Sequence, residues 1–285
     1  MKEYTDLLNK FIKDALAEDI GSGDHTSLAT IPPGKQGTAT LLIKEEGVLA
    51  GVEVALEIFK VVDPLLNVQV SLKDGSRVKP GDIAFSVEGS VYSILTSERL
   101  VLNIMQRMSG IASTTSRIAE KIRDTGAKVL DTRKTTPNMR FLEKMAVKIG
   151  GGHNHRTGLY DMILIKDNHV DYAGGIKQAL TATSRYLREI NSNIKVEIEV
   201  RNQRELMEVL EQGGVDRILL DNFDFDDLRE AVELVGRRFD TEASGGITEE
   251  NILEYARCGV DYISMGALTH SVKSLDMSLK ASKAG

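Results

Sequence analysis

The chain has 285 residues, a formal net charge of -6, 41% hydrophobic and 27% charged residues. This allows one large domain, or one large and one small, of ordinary globular composition. The acidic balance excludes the broad basic face of a nucleic-acid binder. No stretch approaches the roughly 18 apolar residues of a membrane span. The single cysteine, Cys258, excludes an internal disulfide and a cysteine-rich metal site.

Residues 1–19 carry Leu7, Leu8, Phe11, Ile12, Ala15 and Leu16 at helical spacing. That predicts an amphipathic helix without a signal-peptide core, hence a cytoplasmic protein. Segments 38–44 and 86–95 read as strands and 53–62 as a helix, with a turn-rich connection over 73–82. From residue 97 the pattern changes. A long helix over 98–123 precedes strands at 129–132, 162–166, 196–200, 217–221, 241–244 and 262–266. Helices are predicted between them at 137–149, 175–188, 202–212, 225–239 and 248–258. Alternation of this kind implies a parallel sheet with right-handed crossovers, hence a barrel or a doubly wound sheet. Polar or glycine-bearing strand ends favour a barrel with its site on the C-terminal rim. Six strands where a full barrel has eight predict an open, incomplete one.

The chemistry-bearing residues fall on those strand ends. Arg133 and Lys134 follow a strand directly; an arginine fork grips carboxylate or phosphate at two points, and lysine adds a point charge. Thr136 and Pro137 suit the cap and first position of the next helix. Leu142, Met145, Ala146 and Ile149 read as its buried stripe, and Arg140, Lys144 and Lys148 as its solvated face. His155 and Arg156 come after Gly150-Gly151-Gly152, which permits close approach of backbone to ligand. His153 and His169 carry a weaker signal, His25 and His270 weaker still, and no histidine shows metal-ligand spacing to acidic partners. Lys166 ends an apolar strand, as a cation for an anionic ligand or a Schiff-base nucleophile. Glu199 and Asp221 end neighbouring strands and suit sugar hydroxyls, directly or through hydrated Mg2+. Glu197 has the parity of Glu199, so either could face inward. Ser244-Gly245-Gly246 and Gly266-Ala267 follow the last two strands and offer backbone N–H groups to a phosphate.

These strings, in this order, resemble the quinolinate phosphoribosyltransferase family of NAD biosynthesis over nearly the whole chain. The segment 18–27, the helix residues Glu98-Arg99, Leu102-Asn103 and 109–112, and the runs 132–137, 150–159 and 164–169 carry the resemblance. The family usually has Gly-Leu where this chain has Asn138-Met139, on the helix start, where no change of chemistry is expected. A molybdenum-operon group shares much of the pattern but usually lacks the Lys-Asp-Asn-His string seen at 166–169.

The resemblance implies an N-terminal α/β sandwich domain over 1–105, joined by the tail 269–285, and an open, incomplete TIM-like α/β barrel over 106–268. It implies a pentosyltransferase that joins quinolinate to phosphoribosyl pyrophosphate with Mg2+, giving nicotinate mononucleotide, pyrophosphate and CO2. It further implies a homodimer with a shared site, Arg99 reaching the neighbouring subunit. Arg133, His155 and Arg156 would meet the quinolinate carboxylates. Lys134 and Lys166 would lie toward the pyrophosphate, Glu199 and Asp221 toward the ribose, and Ser244, Gly245, Gly246 and Gly266 on the 5′-phosphate. The rival readings are a molybdenum-operon relative, a nicotinate phosphoribosyltransferase, a Schiff-base lyase or aldolase through Lys166, and a non-catalytic binding protein on the same fold.

Overall fold

The computed structural model describes residues 2–281. In chain order its elements begin with α1 (Lys2–Ile20), α2 (His25–Thr30), β1 (Gln36–Ile43), β2 (Gly47–Val48), α3 (Val52–Val62), β3 (Asn67–Val70), β4 (Arg77–Val78), β5 (Ile83–Ser90) and α4 (Val91–Ile122). Then come β6 (Lys128–Leu130), α5 (Arg140–Ile149), β7 (Ile163–Ile165), α6 (Asp167–Ala173), α7 (Ile176–Glu189), β8 (Val196–Val200), α8 (Gln203–Gln212), β9 (Arg217–Asp221) and α9 (Phe225–Val235). The chain closes with β10 (Asp240–Ser244), α10 (Ile252–Arg257), β11 (Tyr262–Ser264), α11 (Ala267–His270) and β12 (Met277–Ala281). No helix among the described residues is long and apolar enough to cross a membrane.

Two compact units form. One holds the described residues to 116, 136–150 and those from 272; the other holds 117–135 and 151–271. The sequence reading divides the chain at 105/106 and starts the returning tail at 269. In the structure the division falls inside α4, α5 groups with the first unit, and the return starts at Val272.

The first unit is built on an antiparallel sheet of order β12-β1-β5-β3. Leu8 and Ile12 of α1 are buried, while Leu7 is half exposed. The predicted strand 86–95 is half helix, because β5 ends at Ser90 and α4 begins at Val91. The Ser90 hydroxyl accepts the Ser93 N–H at 3.3 Å, and Ile94 turns inward. A short apolar run reads equally as strand or buried helix until such a start signal decides it. Along α4, Ser109 Oγ accepts the Ala50 N–H and Ser113 Oγ the Val48 N–H, each at 2.8 Å. A Cβ on Gly110 would collide with the Lys273 carbonyl, so this small-residue stretch exists for close backbone approach.

The start of α5 corrects the sequence reading. The helix begins at Arg140, and Thr136 and Pro137 are not its cap and first position. The Thr136 N–H and hydroxyl instead donate to the Glu143 carboxylate at 3.2 and 2.8 Å. Arg107 donates to the same fully buried carboxylate from Nε and Nη2 at 3.1 and 2.9 Å. Asn138 sits at φ 63°, a left-handed turn ahead of the helix and not part of it. Asparagine tolerates that conformation better than other side chains, which accounts for the departure from the glycine usual in the family. Lys144 is also corrected: only 2% is exposed, so the face shared with Arg140 and Lys148 is not uniformly solvated.

The second unit is a six-stranded, wholly parallel sheet of order β6-β11-β10-β9-β8-β7. Its edge strands β6 and β7 are not paired with each other among the described residues, which leaves the barrel open as its strand count predicts. The core positions Ile198, Val200, Ile218, Leu220, Ala243 and Ile263 are apolar and essentially inaccessible. The alternate positions Glu197, Glu199, Arg217, Asp221, Glu242, Ser244 and Ser264 are polar, and they line the opposite face. Such a polar barrel interior is stable only if its charges pair, and the pairs define the site.

Candidate active site

Parallel strands deliver their C-terminal ends to one rim, and register brings specific residues side by side there. Ile165 pairs with Ile198, so Lys166 and Glu199 are neighbours, and Lys166 Nζ lies 2.8 Å from Glu199 Oε2. Asp221 pairs with Ser244 in the next two strands. Asn222, at φ 57°, donates from Nδ2 to Asp221 Oδ2 at 2.6 Å, and its N–H goes to the Ser244 carbonyl at 2.8 Å. A Cβ on Gly245 would overlap the Asn222 amide, so Gly245 leaves the space in which Asn222 orients Asp221. The sequence reading missed Asn222; the Asp-Asn pair at a strand end, a common left-handed turn, was the available signal.

The segment after β6 supplies the cations. Arg133 and Lys134 are exposed there, and the Lys134 N–H is held by Thr132 Oγ1 at 3.0 Å. The Lys134 carbonyl accepts from the buried Thr269 hydroxyl at 2.8 Å, tying this loop to α11. A Cβ on Gly266 would come within 2.9 Å of Lys134 Cδ and 3.0 Å of the His270 ring. The space left by Gly266 is thus bordered by both Lys134 and His270, although His270 carried almost no signal in the sequence. Its Nδ1 is 2.7 Å from the Ser271 hydroxyl. Gly245 and Gly246 take φ values of 92° and 59°, conformations open to glycine.

Arg156 is half-buried, and its Nη1 reaches the Met162 carbonyl at 3.3 Å. Burial, and then the like charge of Arg133, hold its guanidinium below the ordinary range. Two guanidinium groups of like charge this near each other can together bind a multiply charged anion. The neighbouring loop is set by Asp161, which accepts the Thr157 and Gly158 N–H groups at 2.7 and 2.9 Å.

His155 is placed differently from the other candidates. It is buried, and its own N–H donates to Asp131 Oδ1 at 2.9 Å. Its Nδ1 accepts the Arg156 N–H at 2.7 Å, and its Nε2 lies 2.9 Å from Glu197 Oε2 and 3.7 Å from Glu242 Oε2. To meet a substrate carboxylate at Nδ1 the ring must gain a second proton and release that amide. Both Glu197 and Glu199 face the interior, the deeper one toward His155 and the outer one toward Lys166, so the two choices left open by parity are both taken. His155, Glu197 and Glu242 also lie within 4.8 Å of one another, a grouping that linear spacing could not reveal because three separate segments build it.

Arg99 is an exposed side chain of α4 in the first unit. A cavity of 720 Å³ in that unit, lined by Leu7, Phe11, Leu100, Arg107, Pro137 and Met139 among others, holds none of the candidate residues.

Residues 24–109 match the family model described as quinolinate phosphoribosyl transferase, N-terminal domain, and residues 111–280 match the C-terminal domain of the same family. The chain belongs to the quinolinate phosphoribosyl transferase family. Among its relatives, the Nicotiana tabacum protein named quinolinate phosphoribosyltransferase [decarboxylating] 2b, mitochondrial, is 47% identical, over 96% of this chain and 82% of that one. The Bacillus subtilis protein named probable nicotinate-nucleotide pyrophosphorylase [carboxylating] is 41% identical, over 95% of this chain and 92% of its own. The crystal structure of NadC from Streptococcus pyogenes superposes with a TM-score of 0.92 at 39% identity, covering 98% of this chain and 97% of that one. Family membership, a small N-terminal sheet domain and a parallel C-terminal α/β sheet therefore stand together.

Proposed function

We propose that this chain is a quinolinate phosphoribosyltransferase of the decarboxylating kind. It transfers the phosphoribosyl group of phosphoribosyl pyrophosphate to quinolinate, giving nicotinate mononucleotide, pyrophosphate and CO2. The observation that carries the reading is the crowd of cations and carboxylates on one rim: Arg133 beside Arg156, Lys134 over Gly266, Lys166 on Glu199, and Asp221 oriented by Asn222.

Charge sorts the substrates. Arg133 and Arg156, with His155 beside them, take the two adjacent carboxylates of quinolinate. Ser244, Gly245, Gly246 and Gly266 offer backbone and hydroxyl donors to the 5′-phosphate, and Lys134 and Lys166 lie toward the pyrophosphate. The hard carboxylate oxygens of Glu199 and Asp221 would face the water shell of a Mg2+ ion carried by the pyrophosphate, and such an ion would supply positive charge beside the leaving group. The pyridine nitrogen attacks C1′ while the C1′–O bond breaks and its electron pair leaves with pyrophosphate. Positive charge grows on the ribose, where Glu199 and Asp221 stabilise it, and negative charge grows on the leaving group, where the lysines do. The ring–carboxylate bond then breaks and CO2 departs, its bonding pair staying on the ring carbon, where the adjacent positive nitrogen stabilises it until that carbon takes a proton. No side chain forms a covalent bond in this scheme; positioning and electrostatics supply the rate.

The ion pair with Glu199 engages Lys166 as a cation, which suits anion binding better than Schiff-base chemistry. The reading carries with it a homodimer in which Arg99 is contributed across the interface, and a cytoplasmic location. One assay tests the central claim. Phosphoribosyl pyrophosphate and Mg2+ are supplied with quinolinate or nicotinate in parallel, and mononucleotide and CO2 are followed. Mononucleotide with stoichiometric CO2 from quinolinate alone is expected. Product from nicotinate without CO2 would move the chain to a non-decarboxylating activity, and silence with both would remove the proposal.

A further inference from the structure

Beneath the rim lies a buried charge cluster whose members Glu197, Arg217 and Glu242 have no part in the proposed transfer. Glu197 on β8 and Glu242 on β10 are both fully inaccessible. From β9, Arg217 Nη1 donates to Glu242 Oε2 at 2.7 Å, and its guanidinium stacks 4.0 Å from the centre of the Tyr262 ring on β11. His155 closes the group from the loop after the three glycines, and Ser264 of β11 adds a hydroxyl toward Glu242. Arg156 and, from the end of β7, Lys166 act on Glu197 through their charge.

The hydrogen-bond accounting does not close with both carboxyls ionised. Among the described residues, both oxygens of Glu197 and Oε1 of Glu242 lack an aligned hydrogen-bond donor. Buried acceptors without donors are costly, and two ionised carboxylates side by side in a dry interior are more so. A proton between the two carboxyls serves one oxygen of each and removes one of the two charges. That leaves one negative charge against one guanidinium and, of the three oxygens, only one of Glu197 to be met by the nearby His155 ring. Burial, and then the neighbouring Glu197, push Glu242 up to about 7 even against a positive charge on His155 and that of Arg217, and a neutral His155 ring would leave it higher still. Burial likewise raises Glu197.

We propose that Glu197 and Glu242 share one proton and, braced by Arg217, form a buried anchor that fixes the His155 ring and through it the main chain of Arg156. The Nδ1 atom accepts the Arg156 N–H and so carries no proton, which leaves the ring proton on Nε2, facing the carboxyl pair. Glu197 and Glu242 are then positioning residues for the dicarboxylate end of the site. Their effect on quinolinate rests on the function proposed above; the protonation of the cluster does not.

Two measurements separate those layers. The first is long-range 15N–1H NMR of the whole protein labelled at its five histidines, with His155 assigned by a His155→Asn control. The Nε2–H tautomer at pH 6 to 7 is expected; imidazolium or the Nδ1–H tautomer would overturn the anchor even if no activity is ever found. The second is the quinolinate KM from pH 6 to 8.5 for the wild type and Glu242→Gln, whose amide mimics the protonated carboxyl. Wild-type KM is expected to rise by up to about tenfold per pH unit once the shared proton leaves. The KM of Glu242→Gln is expected to stay flat, with the phosphoribosyl pyrophosphate KM level in both proteins. Identical pH profiles would overturn the positioning role. Should Glu242→Gln fail to fold, Glu197→Gln makes the same comparison from the other carboxyl. Elemental analysis is the last arm: one tightly held metal ion per chain, lost in the Gln variant, would mean that a cation and not a proton joins the pair.

Discussion

Replacing Glu242 by glutamine should alter the pH dependence of folding in a way that needs no substrate. An unfolded glutamate titrates at its ordinary 4.5, whereas burial and Glu197 raise Glu242 to about 7 in the folded chain. Between those values the native state holds a proton that the unfolded state has lost. Wild-type stability therefore falls as pH rises through the window, and the loss is complete above it. A shift of about 2.5 units corresponds to about 3 kcal/mol, with a slope of at most about 1.4 kcal/mol per pH unit. The proton belongs to the Glu197–Glu242 pair, so the figure describes the pair. Glutamine cannot titrate, so the stability difference between the two proteins should swing by that amount toward the variant from pH 5 to 8. Urea unfolding at each unit of pH measures it. Carboxylates such as Glu249, drawn down to about 2 by Arg117 and Lys121, act below 4.5 with the opposite sign and cancel in the comparison. Parallel stability curves for the two proteins across the window would refute the shared proton.

Other substitutions test separate parts of the argument. Arg133→Ala should lose roughly 2–4 kcal/mol of transition-state stabilisation in kcat/KM for quinolinate, as for a charged partner removed from a buried pair; unchanged turnover and affinity would remove Arg133 from the site. Gly245→Ala combines a φ of 92° with a clash against the Asn222 amide, so it should cost about 1–3 kcal/mol of stability and raise the KM for phosphoribosyl pyrophosphate. A fully active, equally stable Gly245→Ala would show that the Asn222–Asp221 arrangement is not needed. Glu143→Ala takes the carboxylate from Arg107 and Thr136 in the interior of the first unit, and should destabilise by about 3–5 kcal/mol in chemical denaturation. Arg117→Ala, on the half-exposed pair with Glu249, should change stability by less than about 1 kcal/mol.

Local chemistry alone determined a good deal of this protein. The βα alternation located all six parallel strands, two of them (Val196–Val200 and Arg217–Asp221) to the residue, because most of these buried strands are short, are dominated by apolar or β-branched residues and end in a polar or glycine-containing stretch. The candidate residues at those strand ends were legible for the same reason: a parallel sheet sends every C-terminal end to one rim. Short-range signals failed where a tertiary partner outweighed them. Thr136 and Pro137 look like a helix start, but the buried Glu143 carboxylate draws Thr136 into a different turn. Lys144 fits a solvated stripe at four-residue spacing, yet packing places it inside. Val91–Leu95 reads as strand until the turn at Ser90 commits it to helix. The cluster of His155, Glu197, Arg217 and Glu242 was decided by tertiary structure alone. Its members come from a loop and three strands, and only sheet register sets their distances. Their protonation then follows from burial, which no linear pattern of residues encodes.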